Sequence, residues 1–242
     1  DEFGYSRFKV ARMLEQARAA GVVTITLHDQ GTVLPELSAR LVDELGLTEA
    51  VVVESDGSEV IARQHVATAG ADLLSRTLRD GELLGISWGR TLPSLPGVSV
   101  VQLTGTVGTN FEQSPVEIVR KVAQSSGGSA HPIFAPMVVD DPATASALRQ
   151  QSDVAQAIRM FGNVTTAVLA LGSWDPIESQ LAEAVPEAQR AELIARGVVA
   201  EVAATLIARD GSLVAPDFAD QCIAISAEQI RAIPRVLLVA AG

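Results

Sequence analysis

Short apolar runs alternate with segments of helical period along most of the chain. Val22–Leu27, Ala50–Val53, Leu83–Ser87, Val98–Leu103, Val164–Leu171, Gln221–Ile225 and Arg235–Ala240 read as buried strands. Between them, Ser6–Gly21, Leu34–Leu45, Ser58–Leu78, Ser114–Gln124, Asp141–Arg149, Val154–Met160, Ile177–Ala184 and Pro186–Arg196 carry helical spacing, and Ser226 opens a short helix before the last strand. Boundary residues support these elements: Ser6 suits an N-cap, Gly21 a C-terminal cap, and Asp141 caps a helix whose first residue is Pro142. Val202–Ala208 and Leu213–Val214 flank Asp210-Gly211, a hairpin signal. Apolar strands separated by helices predict an α/β fold, a mostly parallel sheet covered by helices. Ser125–Ser129 (SSGGS) predicts a mobile loop inside the domain. Ser87 and Val98 are only about ten residues apart, fewer than the dozen or so of an ordinary parallel crossover.

Composition narrows this picture. With 48% apolar residues and only 19% charged, the chain has a core and is not a disordered segment. The net charge of −11 repels nucleic acid unless a basic segment is set apart, and Arg7, Lys9, Arg12 and Arg18 form such a segment in the first helix. Cys222, the one cysteine, sits in an apolar run and reads as a buried thiol. No apolar stretch is long enough for a membrane span and no secretory signal is visible, so a cytoplasmic protein is expected.

Candidate chemistry gathers at three strand ends. They are Gly85-Ile-Ser87-Trp88-Gly89-Arg90-Thr91, Gln102-Leu-Thr104-Gly105-Thr106-Val-Gly108-Thr109-Asn110 and Leu171-Gly172-Ser173-Trp174. In open α/β sheets ligands sit at the carboxyl ends of strands. Glycine lets a ligand approach the backbone, hydroxyls and N–H groups meet its oxygens, and Arg90 suits an anionic group. Each turn alone also fits a purely structural role, and Trp88 and Trp174 suit either stacking on a sugar or packing. Catalytic signals are weak. His28, His65 and His131 are isolated and lack metal-ligand spacing, with His131 the best placed to line a pocket. No phosphate-binding loop or nucleophile elbow is present. The expectation is therefore no catalytic residue, no metal and no cofactor. Glu112 and Glu201 are the best remaining general bases for an isomerase alternative, and Lys121 lies on a predicted helix. An oligomerisation module built on Ser58–Leu78 would leave the three turns unexplained.

The order of these motifs resembles the SorC family of sugar-responsive bacterial transcriptional regulators, grouped with DeoR-type sugar-binding regulators. The resemblance is carried by Ser6-Arg-Phe-Lys-Val-Ala-Arg-Met-Leu14 with Gly21-Val-Val, by Gly85–Thr91, by Gln102-Leu-Thr-Gly105, and by Ile233-Pro-Arg-Val236 through Gly242. It implies residues 1–21 as the end of a helix-turn-helix and 22–242 as an effector-binding and oligomerisation domain of the sugar-phosphate isomerase-like type. It also implies a sugar, polyol or sugar-phosphate effector, operator DNA as partner, and a homo-tetramer or dimer. Carried over, Ser87, Trp88, Gly89, Arg90 and Thr91 form one side of the pocket. Gln102, Thr104, Gly105, Thr106 and Gly108 form the other, and Gly172 and Ser173 close it. Ser6, Arg7, Lys9 and Arg12 face DNA. The chain departs from the family pattern at Gly197-Val-Val-Ala-Glu201, where the pattern is Gly-Ala-Val-Gly-Asp, and at Gln221, where an arginine often follows Asp220.

Overall fold

Within each parallel strand, successive side chains point to opposite faces, and both faces must be covered. The computed structural model shows how this chain covers them. It describes residues 31–55, 58–87, 97–108 and 114–241, together with positions 9, 10, 12, 13 and 16. The chain divides into two compact units, Asp1–Gln30 and Gly31–Gly242. In the first unit the described positions are helical and exposed, including Lys9 and Arg12.

In the second unit, α1 (Pro35–Leu45) and α2 (Glu59–Thr77) precede β1 (Leu83–Ile86) and β2 (Ser99–Gln102). Then come α3 (Pro115–Ser126), β3 (Ala130–His131), α4 (Pro142–Arg149), α5 (Ser152–Arg159) and β4 (Thr166–Ser173). The unit ends with α6 (Gln180–Ala184), α7 (Glu187–Ala195), the hairpin strands β5 (Val198–Val202) and β6 (Thr205–Ala208), α8 (Ala227–Ala232) and β7 (Arg235–Val239). Strands β3, β2, β1, β4 and β7 pair in that order, all parallel. The last three residues of β4, Leu171–Ser173, leave this sheet and pair antiparallel with β5, which continues into β6. Chain order runs outward from β1 in both directions, so the topological switch point lies between β1 and β4.

Alternation assigns the two faces. Leu84, Ile86, Val100 and Val168 pack with Leu74 and Leu78 and with Ile118, Val119 and Val122 of α3. Val101, Ala167 and Leu169 pack on the other side with Ala145, Val154, Ala157 and Phe161. A third cluster lies under the antiparallel arm, where Trp174 joins Leu181, Leu193, Val198, Leu206 and Phe218. Fully burying each such aliphatic or aromatic side chain contributes about 1.5–3 kcal/mol. Capping sharpens the helix ends. The Asp141 carboxylate accepts from the Thr144 N–H at 2.9 Å, and Ser226 and Gln229 form a capping box.

Several expectations are corrected. Val202–Ala208 is not one strand: Ala203 and Ala204, at φ of 48° and 66°, make a two-residue turn inside it, and its first partner is the unanticipated β5. The expected turn at Asp210-Gly211 is present beyond it, with Leu213 bridging Ile207 antiparallel across the turn. Ala50–Val53 and Gln221–Ile225 supply isolated bridges rather than strands, because each meets its neighbour at single positions. The SSGGS segment is pinned rather than loose: Ser126 ends α3 and its hydroxyl donates to the Val98 carbonyl at 2.7 Å. The short link from Ser87 to Val98, the Val22–Leu27 run and the proposed domain boundary at residue 21 lie outside the described residues.

Candidate functional site

The carboxyl ends of β1, β2, β4 and β7 open into a cavity of about 740 Å³, within the range of about 300–1,000 Å³ typical of small-molecule sites. Ser87 enters from the end of β1, Thr104 and Gly105 from beyond β2, Gly172 and Ser173 from β4, and Val239 to Ala241 from β7. These elements flank the switch point, where adjacent strand-end loops part and leave a crevice. The opposite wall is α2, which presents Ala62, Arg63, Val66, Ala67 and Gly70. Beyond β4 the cavity meets Glu178, Ser179 and Glu201.

Each group is held by local structure. The Ser87 N–H donates to the Val168 carbonyl at 3.1 Å, fastening the β1 end to β4 across the switch point. The Gly105 N–H donates to Ile223 at 2.7 Å. A Cβ on Gly105 would stand 2.5 Å from the Pro136 carbonyl oxygen, so glycine here admits a neighbouring backbone. A Cβ on Gly172 would stand 2.6 Å from Glu201 Oε1 and 2.8 Å from Ser179 Cβ. The Ser179 hydroxyl donates to Glu201 Oε1 at 3.1 Å, and the Ala204 N–H donates to Oε2 at 3.0 Å. Burial pushes the Glu201 carboxyl above its ordinary 4.5, against the downward pull of those two hydrogen bonds. The hydroxyls of Ser87, Thr104 and Ser173 have no hydrogen-bond partner among the described residues and line the open space. A cavity with unspent hydroxyls and one buried carboxyl can exchange several hydrogen bonds with a polyhydroxylated molecule.

Of the residues expected here, Ser87, Thr104, Gly105, Gly172 and Ser173 share this cavity. Gln102 does not. It is fully buried, its amide donates to the Thr104 carbonyl at 2.6 Å and its oxygen accepts from the Ile133 N–H at 3.1 Å, so the side chain ties β2 to the segment after β3. Thr106 spends its hydroxyl on the Ala135 carbonyl at 3.2 Å, and Gly108, at φ of 75°, stands clear of the lining as a turn residue. Trp174 is core, fully buried, with its indole N–H lacking a partner. Trp88, Gly89, Arg90 and Thr91 lie outside the described residues, as do Thr109, Asn110, Glu112, His28, Ser6 and Arg7.

His131 belongs to β3 and is not among the lining residues. Lys121 pairs with Glu117 on the outer face of α3. The buried Cys222 thiol is pushed up to about 12 by desolvation, as expected of an inert core cysteine. Among the described residues no cluster of three His, Cys, Asp or Glu could hold a metal ion. No helix among them is long and apolar enough to cross a membrane. Sequence reasoning missed Ser179 and Arg63 as lining residues and met Glu201 as a general-base candidate and a departure from the family pattern, not as a lining residue. The signal for Glu201 was present: a carboxylate in an otherwise apolar run must be satisfied by partners or functional.

The sequence model of the family described as "Putative sugar-binding domain" matches residues 31–242. The deoxyribonucleoside regulator of Bacillus subtilis (strain 168) is 23% identical, across 100% of this chain and 81% of that protein. The erythritol catabolism regulatory protein EryD of Brucella abortus (strain 2308) is 25% identical, across 99% of this chain and 79% of that protein. In fold, the full-length sorbitol operon regulator SorC from Klebsiella pneumoniae superposes with a TM-score of 0.77 at 22% identity, over 98% of this chain and 80% of that one.

Proposed function

The chain belongs to the sugar-binding-domain family, and from that premise we propose that it is the effector-sensing part of a transcriptional regulator of carbohydrate metabolism. The observation that carries this reading is the cavity at the switch point, where Ser87, Thr104 and Ser173 offer hydroxyls with no partner among the described residues. A sugar, polyol or sugar phosphate occupies it, contacting those hydroxyls, the Gly105 and Gly172 turns and the Glu201 carboxyl; Trp88, Gly89, Arg90 and Thr91, outside the described residues, are further contacts of this proposal. The names of the relatives, regulators of deoxyribonucleoside, erythritol and sorbitol use, support this class of ligand. The first helix, through Ser6, Arg7, Lys9 and Arg12, meets operator phosphates and base edges. The protein works in the cytoplasm as a homo-tetramer or dimer. The effector acts by population shift, binding one quaternary arrangement more tightly than another.

The test is a thermal-shift screen against sugars, polyols and their phosphates. A ligand at about 100 times its Kd adds roughly 2.7 kcal/mol of stability, a rise of several degrees for a domain of this size. No shift across the panel would overturn the reading. One observation favours a second reading. Glu201 is buried, lines the cavity and is pushed above the ordinary carboxyl range by desolvation, which makes its carboxylate a stronger base for proton abstraction in an isomerase. Turnover of a bound sugar phosphate, abolished by Glu201→Gln, would establish the enzyme. Binding without turnover establishes the sensor.

A further inference from the structure

The two walls of the cavity differ in charge. Beyond the β4 end stand two acidic residues, Glu178 and the buried Glu201. On the α2 wall stands Arg63, the one cation among the described lining residues. With Arg63 removed, the described lining keeps no cation to offset the charge of Glu178 and attract an anion. Apart from Glu59 one turn earlier, the residues of α2 that line the cavity with Arg63 offer its guanidinium no partner. Its neighbours on that face are Ala62, Val66, Ala67 and Gly70, which bear no polar side-chain atom and leave Arg63 the longest group reaching from that side.

The present partner of Arg63 holds it weakly. It is Glu59, one turn earlier on the same helix, with the two side chains 34% and 48% exposed. Same-helix ion pairs this open to water contribute little to stability. A phosphate or carboxylate inside a partly desolvated cavity is the stronger partner, because the planar guanidinium meets two of its oxygens at once.

We propose that Arg63 is an anion contact of this cavity: it leaves Glu59 for the phosphate or carboxylate of an acidic sugar derivative and so separates charged effectors from neutral polyols. This rests on the reading of the cavity as an effector site and adds which residue decides the charge of the effector. The acidic wall at Glu178 and Glu201 then faces the hydroxylated end of the same molecule. Ligand polarity is matched from end to end, anion toward α2 and hydroxyls toward β4 and β5.

Calorimetric titration of the wild-type chain, Arg63→Met, Arg63→Lys and Glu59→Gln tests it. The probes are matched pairs: erythritol and its 4-phosphate, ribose and its 5-phosphate, glucitol and its 6-phosphate, with gluconate as the carboxylate arm. Arg63→Met should weaken the acidic members by about 10- to 100-fold while leaving a neutral partner within about twofold. Arg63→Lys should fall between, since a lysine keeps the charge and loses the bidentate geometry. Glu59→Gln, which removes the competing carboxylate, should tighten the acidic probes by about twofold. Phosphate and carboxylate probes responding to different degrees would identify which anion the site takes. Equal loss for acidic and neutral probes in Arg63→Met, or no loss for either, would overturn the proposal. So would a wild-type chain that binds only the neutral members, an outcome that leaves the effector-site reading standing. Failure of every probe to bind the wild type takes down both.

Discussion

The two ends of the parallel sheet are built from the same strands and put to opposite uses. At the amino end Arg235, Glu82 and Ser126 are spent on closure. The Arg235 guanidinium, at the start of β7, donates to Thr166 Oγ1 at 3.0 Å and to the Thr77 carbonyl at 3.2 Å, and pairs with the Glu82 carboxylate. One side chain thereby joins α2, β4, β7 and the entry to β1. Beside it, Ser126 and Gly128 press the end of α3 onto Val98. At the carboxyl end, hydroxyls have no partner among the described residues, a carboxyl is buried, and helix and sheet stand apart around about 740 Å³ of space. Stability is concentrated where the strands begin and binding chemistry where they end, so substitutions at the two ends should separate stability from ligand affinity.

The largest break in that comparison is expected at Gly128. A Cβ there would land on the Val98 carbonyl, and backbone meeting backbone has no side chain that can swing aside. Gly128→Ala should cost about 3 kcal/mol, read as a lowered urea midpoint with an unchanged slope. Effector affinity in the remaining folded protein should stay within about twofold of wild type. A loss below about 0.5 kcal/mol would show that the amino end is not tightly closed.

Arg235→Ala comes next. The ion pair with Glu82 is partly open, with side-chain exposures of 40% and 17%, so solvent screens it. The hydrogen bonds to Thr166 and Thr77 and the largely buried Glu82 left behind carry most of the effect. A destabilisation of about 2 kcal/mol is expected, again with affinity retained. A variant of unchanged stability but impaired binding would invert the assignment of the two ends.

How much of this was legible in the sequence follows from which forces were local. The parallel strands were legible because burial on both faces leaves uninterrupted apolar runs. The strand-end turns were legible because Gly and Thr stand where those runs stop. The Ala203-Ala204 turn was not, since alanine carries no turn signal and its positive φ is imposed by the pairing of β5 with β6 around it. Gly105 and Gly172 were recognised as special for a reason that proved incomplete. Each makes room for the protein itself, Pro136 in one case and Glu201 with Ser179 in the other. Gln102 carried the composition of a site residue, yet its amide is consumed within the core. Such partners are distant in sequence and no spacing rule reaches them. The strand order that brings β1 beside β4 is likewise a property of the whole chain.

A smaller, graded effect sharpens the contrast through pH. Because burial raises the Glu201 carboxyl above 4.5, the folded chain keeps this proton over a range where the unfolded chain has released it. Folded protein then binds more protons than unfolded, and stability falls as pH rises above about 4.5, by at most about 1.4 kcal/mol per pH unit from this one group. The fall ends once the folded carboxyl ionises too. The exposed carboxylates behave in the opposite sense. Glu117 is held at about 2, chiefly by its hydrogen bond with Arg120, so its contribution is present above the ordinary carboxyl range and is lost only as pH drops toward 2. Glu201→Gln should therefore match wild type in urea unfolding near pH 4.5 and gain on it as pH rises from there until the folded carboxyl ionises, with the acid limb set by Glu117 unchanged. Wild type and variant profiles that run parallel from acid to neutral would mean that Glu201 is solvated in the folded chain, and the carboxyl end of the sheet would lose the buried proton that sets it apart from the amino end.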